Sequence, residues 1–239
     1  MNGHGSSPPL SDARIALVIP ALNEEQALAR VLDELPRQLF ARVIVVDNGS
    51  RDGTALVARE RDAEVISQPR RGYGRACQAG LAALDSTTDI VVFMDADGSD
   101  VPAEAELLVA PILRGEADLV LGSRTQGRAE PGSLAPVQRW GNRLATALIR
   151  LLYGFRYTDL GPFRAILRAR LLTLQCHDAN FGWTVEMQLK ALRRGLRVRE
   201  IPVSYRRRIG RSKISGTFSG ATRAGLKILW MIFRLRVAG

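Results

Sequence analysis

Histidine and cysteine are nearly missing from this chain of 239 residues, with only His4, His177, Cys77 and Cys176. Scattered in this way they have neither metal-ligand spacing nor a disulfide framework, which argues against zinc sites, a stapled scaffold and histidine-based triads. Each cysteine reads as a small buried hydrophobe. No apolar run approaches the ~20 residues needed to cross a bilayer. The first dozen residues, rich in Gly, Ser and Pro, lack the basic start and apolar core of a secretory signal, and residues 1–12 are expected to be a disordered lead-in. Acid is scarce at the other end. From Arg193 onward thirteen Arg or Lys face a single Glu200, so the net charge of +10 is concentrated in the last fifth.

What is present is a set of apolar runs, each ending in polar residues. Ile15–Pro20 leads into Ala21, Leu22, Asn23, Glu24 and Glu25, and Val43–Asp47 leads into Asn48, Gly49, Ser50 and Arg51. Val91–Met94 ends in Asp95, Ala96, Asp97 and Gly98. Runs that are apolar throughout read as parallel strands buried on both faces. Between them Leu28, Val31, Leu32 and Leu35, and later Ala76, Ala79, Gly80 and Ala83, recur at helical spacing. Strand–helix alternation predicts a single α/β domain with a doubly wound, mostly parallel sheet and helices on both faces. Ligands of such sheets bind at the carboxyl ends of the strands, where all three polar clusters fall. Alternate residues of an extended strand point the same way, so Asp95 and Asp97 aim at one point. Two like charges held that close suit a cation between them.

Further along, the pattern predicts a helix over 104–113, a strand over 118–122 and a Gly/Pro-rich mobile loop over 126–136. A helix over 137–153, with Leu144, Leu148, Leu151 and Leu152 sharing a face, is read as structural or as lipid-touching. A second helix over 183–193 precedes a strand over 198–203. The glycines of Gly72–Tyr73–Gly74–Arg75 permit close backbone approach, but Gly80 is misplaced for a dinucleotide fingerprint.

The segments Pro20–Ala21–Leu22–Asn23–Glu24, Val46–Asp47–Asn48–Gly49–Ser50–Arg51–Asp52–Gly53–Thr54 and Met94–Asp95–Ala96–Asp97 resemble, in residues, order and spacing, family 2 of the inverting glycosyltransferases, with the GT-A fold. Gly122–Ser123–Arg124, Asp159–Ala165 and Arg207–Lys213 are similar to the branch containing dolichyl-phosphate mannose and glucose synthases. The resemblance spans residues 15 to 213. It implies a nucleotide diphosphate sugar donor (UDP- or GDP-linked) and a divalent metal, Mg or Mn, held by Asp95 and Asp97. Asp97 would be the direct ligand, while Asp95 faces ribose or sugar. Ser99 stands where relatives with a third ligand have glutamine, so a water or Asp100 would complete the shell. Pro20, Ala21, Asn23, Glu24 and Ala96 would hold the nucleoside side, with Asp47 accepting a hydrogen bond from the base.

The acceptor decides the remaining chemistry. A hydroxyl needs a general base, for which Glu186 is the first candidate and Asp159 the second; the alternative for Glu186 is a structural partner of a nearby cation. A phosphate monoester is already anionic and needs cations to position it, which Arg124, Arg207, Arg211 and Lys213 supply. By match to the family motif, Arg207 and Lys213 close over donor or acceptor phosphate and Arg124 faces the acceptor, with Arg206 and Arg208 as solvated neighbours. The stretch Ile228–Phe233, flanked by Arg223, Lys227, Arg234 and Arg236, suits a basic amphipathic helix (216–239) lying in an anionic interface, on the domain core, or both. Its interleaved apolar residues argue against nucleic acid. The expectation is therefore a GT-A domain over 13–215 that moves a hexose to a polyprenyl phosphate, cytoplasmic and peripheral at the inner membrane face. A soluble hydroxyl acceptor, or a non-catalytic membrane- or polyanion-binding module, is the alternative.

Overall fold

The structure is a computed structural model that describes residues 12–210 and the backbone of 218–237, with side chains of the last segment from 224 onward. The lead-in up to residue 11, together with Arg211, Ser212 and Lys213, lies outside the described residues.

In chain order the elements are β1 (Ile15–Ala21), α1 (Glu25–Asp33), β2 (Arg42–Asp47), α2 (Thr54–Arg59), β3 (Glu64–Ser67), α3 (Tyr73–Ala82) and β4 (Ile90–Phe93). They continue with α4 (Ala105–Leu113), β5 (Leu119–Ser123), α5 (Pro136–Tyr153), β6 (Arg164–Leu167), α6 (Arg168–Leu174), α7 (Trp183–Arg193), β7 (Val198–Pro202) and α8 (Phe218–Val237). The strands form one seven-stranded sheet in the order β3-β2-β1-β4-β6-β5-β7. All pairings are parallel except those of β6, which runs antiparallel to β4 and β5.

The apolar runs are continuous because each strand is covered on both faces. Leu17, Ile19, Val43, Val45 and Val92 meet Leu28, Val31 and Leu32 of α1 and Leu108 and Ile112 of α4. Their alternates Ala16, Val18, Ile44, Val46, Val91 and Phe93 meet Ala76 and Cys77 of α3, Trp183, Val185 and Leu189 of α7, and Met231 and Ile232 of α8. Fully burying one such Leu, Val or Ile contributes about 1.5–3 kcal/mol, which outweighs the weak intrinsic preference of any short segment. Gly80 has a packing role: a Cβ there would stand 2.4 Å from Val18 Cγ1, so its absence lets α3 lie close on the sheet.

Two expectations need correction, and two elements go beyond them. The strand β6 and helix α6 carry no clear periodic signal, because β6 is four residues long and begins with an arginine. That Arg164 is fully buried, donating to the carbonyls of Pro162 (3.1 Å), Thr184 (2.9 Å) and Gly161. The segment 126–136 does not stand free over the site. Glu130 N donates to Tyr205 O at 2.8 Å and Tyr205 N to Arg128 O at 3.0 Å, which stitches it to the chain after β7. On α5 the leucine stripe is split: Leu148 and Leu152 pack on the core beside buried Ala145 and Ile149, whereas Leu144 and Leu151 are 51% and 79% exposed.

Candidate active site

A cavity of about 440 Å³ opens at the carboxyl ends of β1, β2 and β4. The first loop supplies Pro20, Ala21, Asn23 and Glu24 to its lining, the β4 end supplies Asp95, Ala96 and Asp97, and Asn48 and Arg208 join them. The loop into α3 contributes Arg71, Gly72 and Tyr73, and the turn before α7 contributes Asn180 and Phe181. Eight of the sequence-derived site residues thus border the cavity or its rim, Asp47 being the one at the rim. Its Oδ1 accepts from Ser50 N at 2.9 Å, and it lies next to the lining residue Asn48.

Local hydrogen bonds explain why the first loop holds its shape. Asn23 adopts a left-handed φ of 52°, tolerated by an amide side chain whose Oδ1 accepts from Arg51 N at 2.8 Å. Asn23 N donates to Ser50 Oγ and Glu24 N to Thr54 Oγ1, both at 2.9 Å. The β1 and β2 loops therefore brace each other. Asn48 does the same for the α3 loop, donating to Gln68 O and Arg70 O and accepting from Gly72 N. That loop then presses on the turn before α7, where a Cβ on Gly74 would stand 1.9 Å from Asp178 O. The glycines of 72–75 thus close the cavity wall by backbone contact.

Asp95 and Asp97 line the cavity at the β4 end, and Asp100 lies next to them, its Oδ2 accepting from Asp95 N at 3.4 Å. Asp97 Oδ1 accepts from Ser99 N at 2.9 Å and from the Ser99 hydroxyl, so Ser99 orients Asp97 and does not face a ligand. Asp95 Oδ1 and Asp100 Oδ1 are enclosed with no hydrogen-bond partner. Burial, reinforced by the Asp97 charge, pushes Asp95 up to about 7. Burial, with Asp95 and Asp97 beside it, holds Asp100 well above the ordinary carboxylate range. An orphaned carboxylate oxygen with repelling carboxylates beside it, at the edge of the cavity, fits a cation. Among the described residues no group of three or more His, Cys, Asp or Glu is placed to hold a metal ion by itself. The donor set instead suits a hard ion bound by few carboxylates and completed by substrate phosphate.

The cations divide unequally. Arg208, expected to be a solvated neighbour, pairs with Asp97 Oδ2 at 3.2 Å and Glu24 Oε1 at 3.1 Å. Arg206 pairs with Glu34 at 2.5 Å. Arg207 is turned to the 130–132 turn, its Nε donating to Pro131 O at 2.7 Å and its backbone N to Glu130 at 2.8 Å, and it does not line the cavity. Arg124 is forked onto buried Asp159 at 2.7 and 2.8 Å and lies 5.0 Å from the centre of the Tyr205 ring, again outside the lining. Asp159 is thereby occupied as a candidate base. Glu186 is occupied too: its Oε2 accepts from His177 N at 2.9 Å and Asp178 N at 2.7 Å, and its Oε1 pairs with Lys190 at 2.7 Å. These contacts tie Glu186 to the turn before α7. Arg208 was missed because three adjacent arginines are indistinguishable until the fold shows which one points at acid.

Residues 16–173 match the description Glycosyl transferase family 2. An uncharacterised glycosyltransferase of Mycobacterium tuberculosis is 40% identical over 209 residues, covering 87% of this chain and 92% of the relative. Undecaprenyl-phosphate mannosyltransferase of Micrococcus luteus is 33% identical over 94% of this chain and 99% of its own. Dolichyl-phosphate hexose transferase of Haloferax volcanii is 31% identical over 90% and 92%. Among solved structures, glucosyl-3-phosphoglycerate synthase from Mycobacterium tuberculosis with Mn2+, UDP and glucosyl-3-phosphoglycerate superposes with a TM-score of 0.77 at 25% identity, covering 98% of this chain and 86% of that one. The same enzyme with Mg2+ and UDP gives 0.77 at 26%, covering 95% and 80%. The fold is that of the GT-A glycosyltransferases, and the chain belongs to glycosyl transferase family 2.

Proposed function

We propose that this glycosyltransferase moves a hexose, with inversion, from a UDP- or GDP-linked donor to a polyprenyl phosphate at the cytoplasmic face of a membrane. The observation that carries the donor side is the carboxylate pair Asp95 and Asp97 on the cavity lining, with Asp95 Oδ1 enclosed and unpartnered. Asp97 and Asp95 would hold a divalent ion, Mg2+ or Mn2+, and such an ion supplies Lewis-acid stabilisation of the departing diphosphate. Pro20, Ala21, Asn23 and Glu24 shape the nucleoside side, with Asp47 at its edge and Ala96 between the carboxylates. Arg208 and Arg71 bring positive charge to the same cavity.

On the acceptor side, the two candidate bases are held by other partners, which suits a nucleophile that arrives already anionic. Arg124, fixed by Asp159, together with Arg207 and Lys213, would supply the cations for the acceptor phosphate. Relatives named for undecaprenyl and dolichyl phosphate support the lipid class. No helix among the described residues is long and apolar enough to cross a membrane. The lipid would be met at the surface, with residues 13–215 as the catalytic body and the basic segment 216–239 as the membrane-facing part. Trp140 on α5 is 70% exposed and Trp230 on α8 48%, each within cation–π reach of Arg or Lys. Tryptophan with basic neighbours is the pairing that favours an anionic interface.

The deciding experiment is a donor screen with purified protein, Mn2+ and a short polyprenyl phosphate, run beside Asp97→Ala. Transfer to lipid phosphate that Asp97→Ala abolishes is the expected result. Unaltered transfer by a folded Asp97→Ala protein would refute the metal role. A soluble phosphorylated acceptor is the second reading, favoured by the neighbours crystallised with phosphoglyceric acid. Transfer to that acid without any lipid would select it.

A further inference from the structure

Arg208 stands where positive charge is wanted twice. Its guanidinium spans from the β4 end to the loop after β1, touching Asp97 Oδ2 and Glu24 Oε1. Its Nε is enclosed and makes no hydrogen bond, so the group is not forked onto a single carboxylate in the way that Arg124 is on Asp159. The backbone around it, by contrast, is fastened to the acidic turn: Arg206 N donates to Ser99 O at 2.8 Å and Ile209 N to Asp97 O at 2.9 Å. The main chain is fixed and the side chain is long, which is the arrangement of a swinging arm. Arg206, Arg207 and Arg124 are each committed elsewhere.

A guanidinium on Asp97 Oδ2 and a divalent ion on the same carboxylate exclude each other by charge and by space. We propose that Arg208 is the exchangeable counter-ion of the donor site. It neutralises Asp97 and Glu24 before loading, yields Asp97 when a divalent ion is bound, and turns its planar fork onto the donor diphosphate. Arginine suits the second task because its fork matches phosphate oxygens two at a time. The inference rests on the metal-dependent donor reading given above and adds a residue that competes with the ion and then joins it.

The test measures binding, not turnover, on the full chain. Mn2+ uptake without nucleotide is followed by electron paramagnetic resonance, and UDP and GDP binding at saturating Mn2+ by calorimetry, for wild type, Arg208→Gln and Arg208→Lys. Removing a competing, partly exposed ion pair should tighten Mn2+ binding about fivefold in Arg208→Gln. Losing a charge-assisted phosphate contact should weaken nucleotide binding about tenfold in the same variant. Arg208→Lys, which keeps the charge and lacks the fork, should retain the competition and recover part of the nucleotide affinity. A merely structural arginine would move both affinities the same way or neither, and either result overturns the exchange. Wild-type protein that takes up no Mn2+ even with UDP or GDP present would refute the metal reading and the exchange together. Mn2+ uptake by wild type with Arg208→Gln unchanged would refute the exchange alone.

Discussion

Asp95 shows how one residue ties stability to function. In an unfolded chain its carboxyl titrates near 3.8, whereas burial and the Asp97 charge raise it to about 7 in the fold. Between those values the folded protein keeps a proton that the unfolded chain releases. Metal-free protein should therefore lose stability as pH rises from about 4 to about 7, with Asp100 acting in the same direction. Thermal melting against pH in the presence of a chelator reads this directly. Mn2+ added above pH 7 should raise the melting temperature, since it binds only the folded site. Glu186 makes the opposite kind of residue-scale case. Glu186→Gln removes a charged acceptor from two backbone N–H groups and the partner of Lys190, and should destabilise by about 1–3 kcal/mol. The pH–rate profile of the folded fraction should be unchanged. A lost acidic limb in that profile, where the rate falls as the base is protonated, would restore Glu186 as a base.

At the scale of elements, the donor cavity is made by loops that brace one another and not by any single strand end. The β1 loop leans on Thr54 and Ser50 from the β2 loop, and α3 starts against the turn before α7. Gly74→Ala would drive a Cβ to 1.9 Å from the Asp178 carbonyl, so the wall must part. The expected cost is about 1–3 kcal/mol of stability, with weakened UDP binding measured by calorimetry. Retained stability and affinity would show that α3 relaxes without moving the wall. The elements that periodicity located well, β1, β2, β4 and α7, are those buried on a consistent face. The short antiparallel β6 escaped because four residues give no period, and its arginine is hydrogen-bonded by carbonyls that only the folded chain brings near.

For the whole molecule, α8 links the exterior to the cavity. Met231 and Ile232 pack on the core, Tyr153 of α5 donates to Ile232 O at 2.8 Å, and Lys227 pairs with Asp178 at 2.7 Å in the turn that carries the lining residues Asn180 and Phe181. Trp230, Phe233, Arg234 and Arg236 remain outward. Co-sedimentation with anionic vesicles should weaken about fivefold for Arg234→Gln and again for Arg236→Gln, at roughly 1 kcal/mol per basic residue near the surface. Trp230→Ala should weaken binding even at high salt. Unchanged binding in all three variants would remove the membrane role from this helix.

Residue order along the chain was sufficient to give the α/β class, the polar strand ends and the carboxylate pair, because alternation and apolar runs are local properties of a strand. The partnership of each charge was not local. Which of three consecutive arginines meets Asp97, why Glu186 and Asp159 are occupied, and which face of α5 turns outward all depend on contacts across 9 to more than 100 residues of chain. Those contacts exist only once the two helical layers have closed on the sheet, since Coulomb and hydrogen-bond energies act over a few ångströms and carry no trace in sequence spacing.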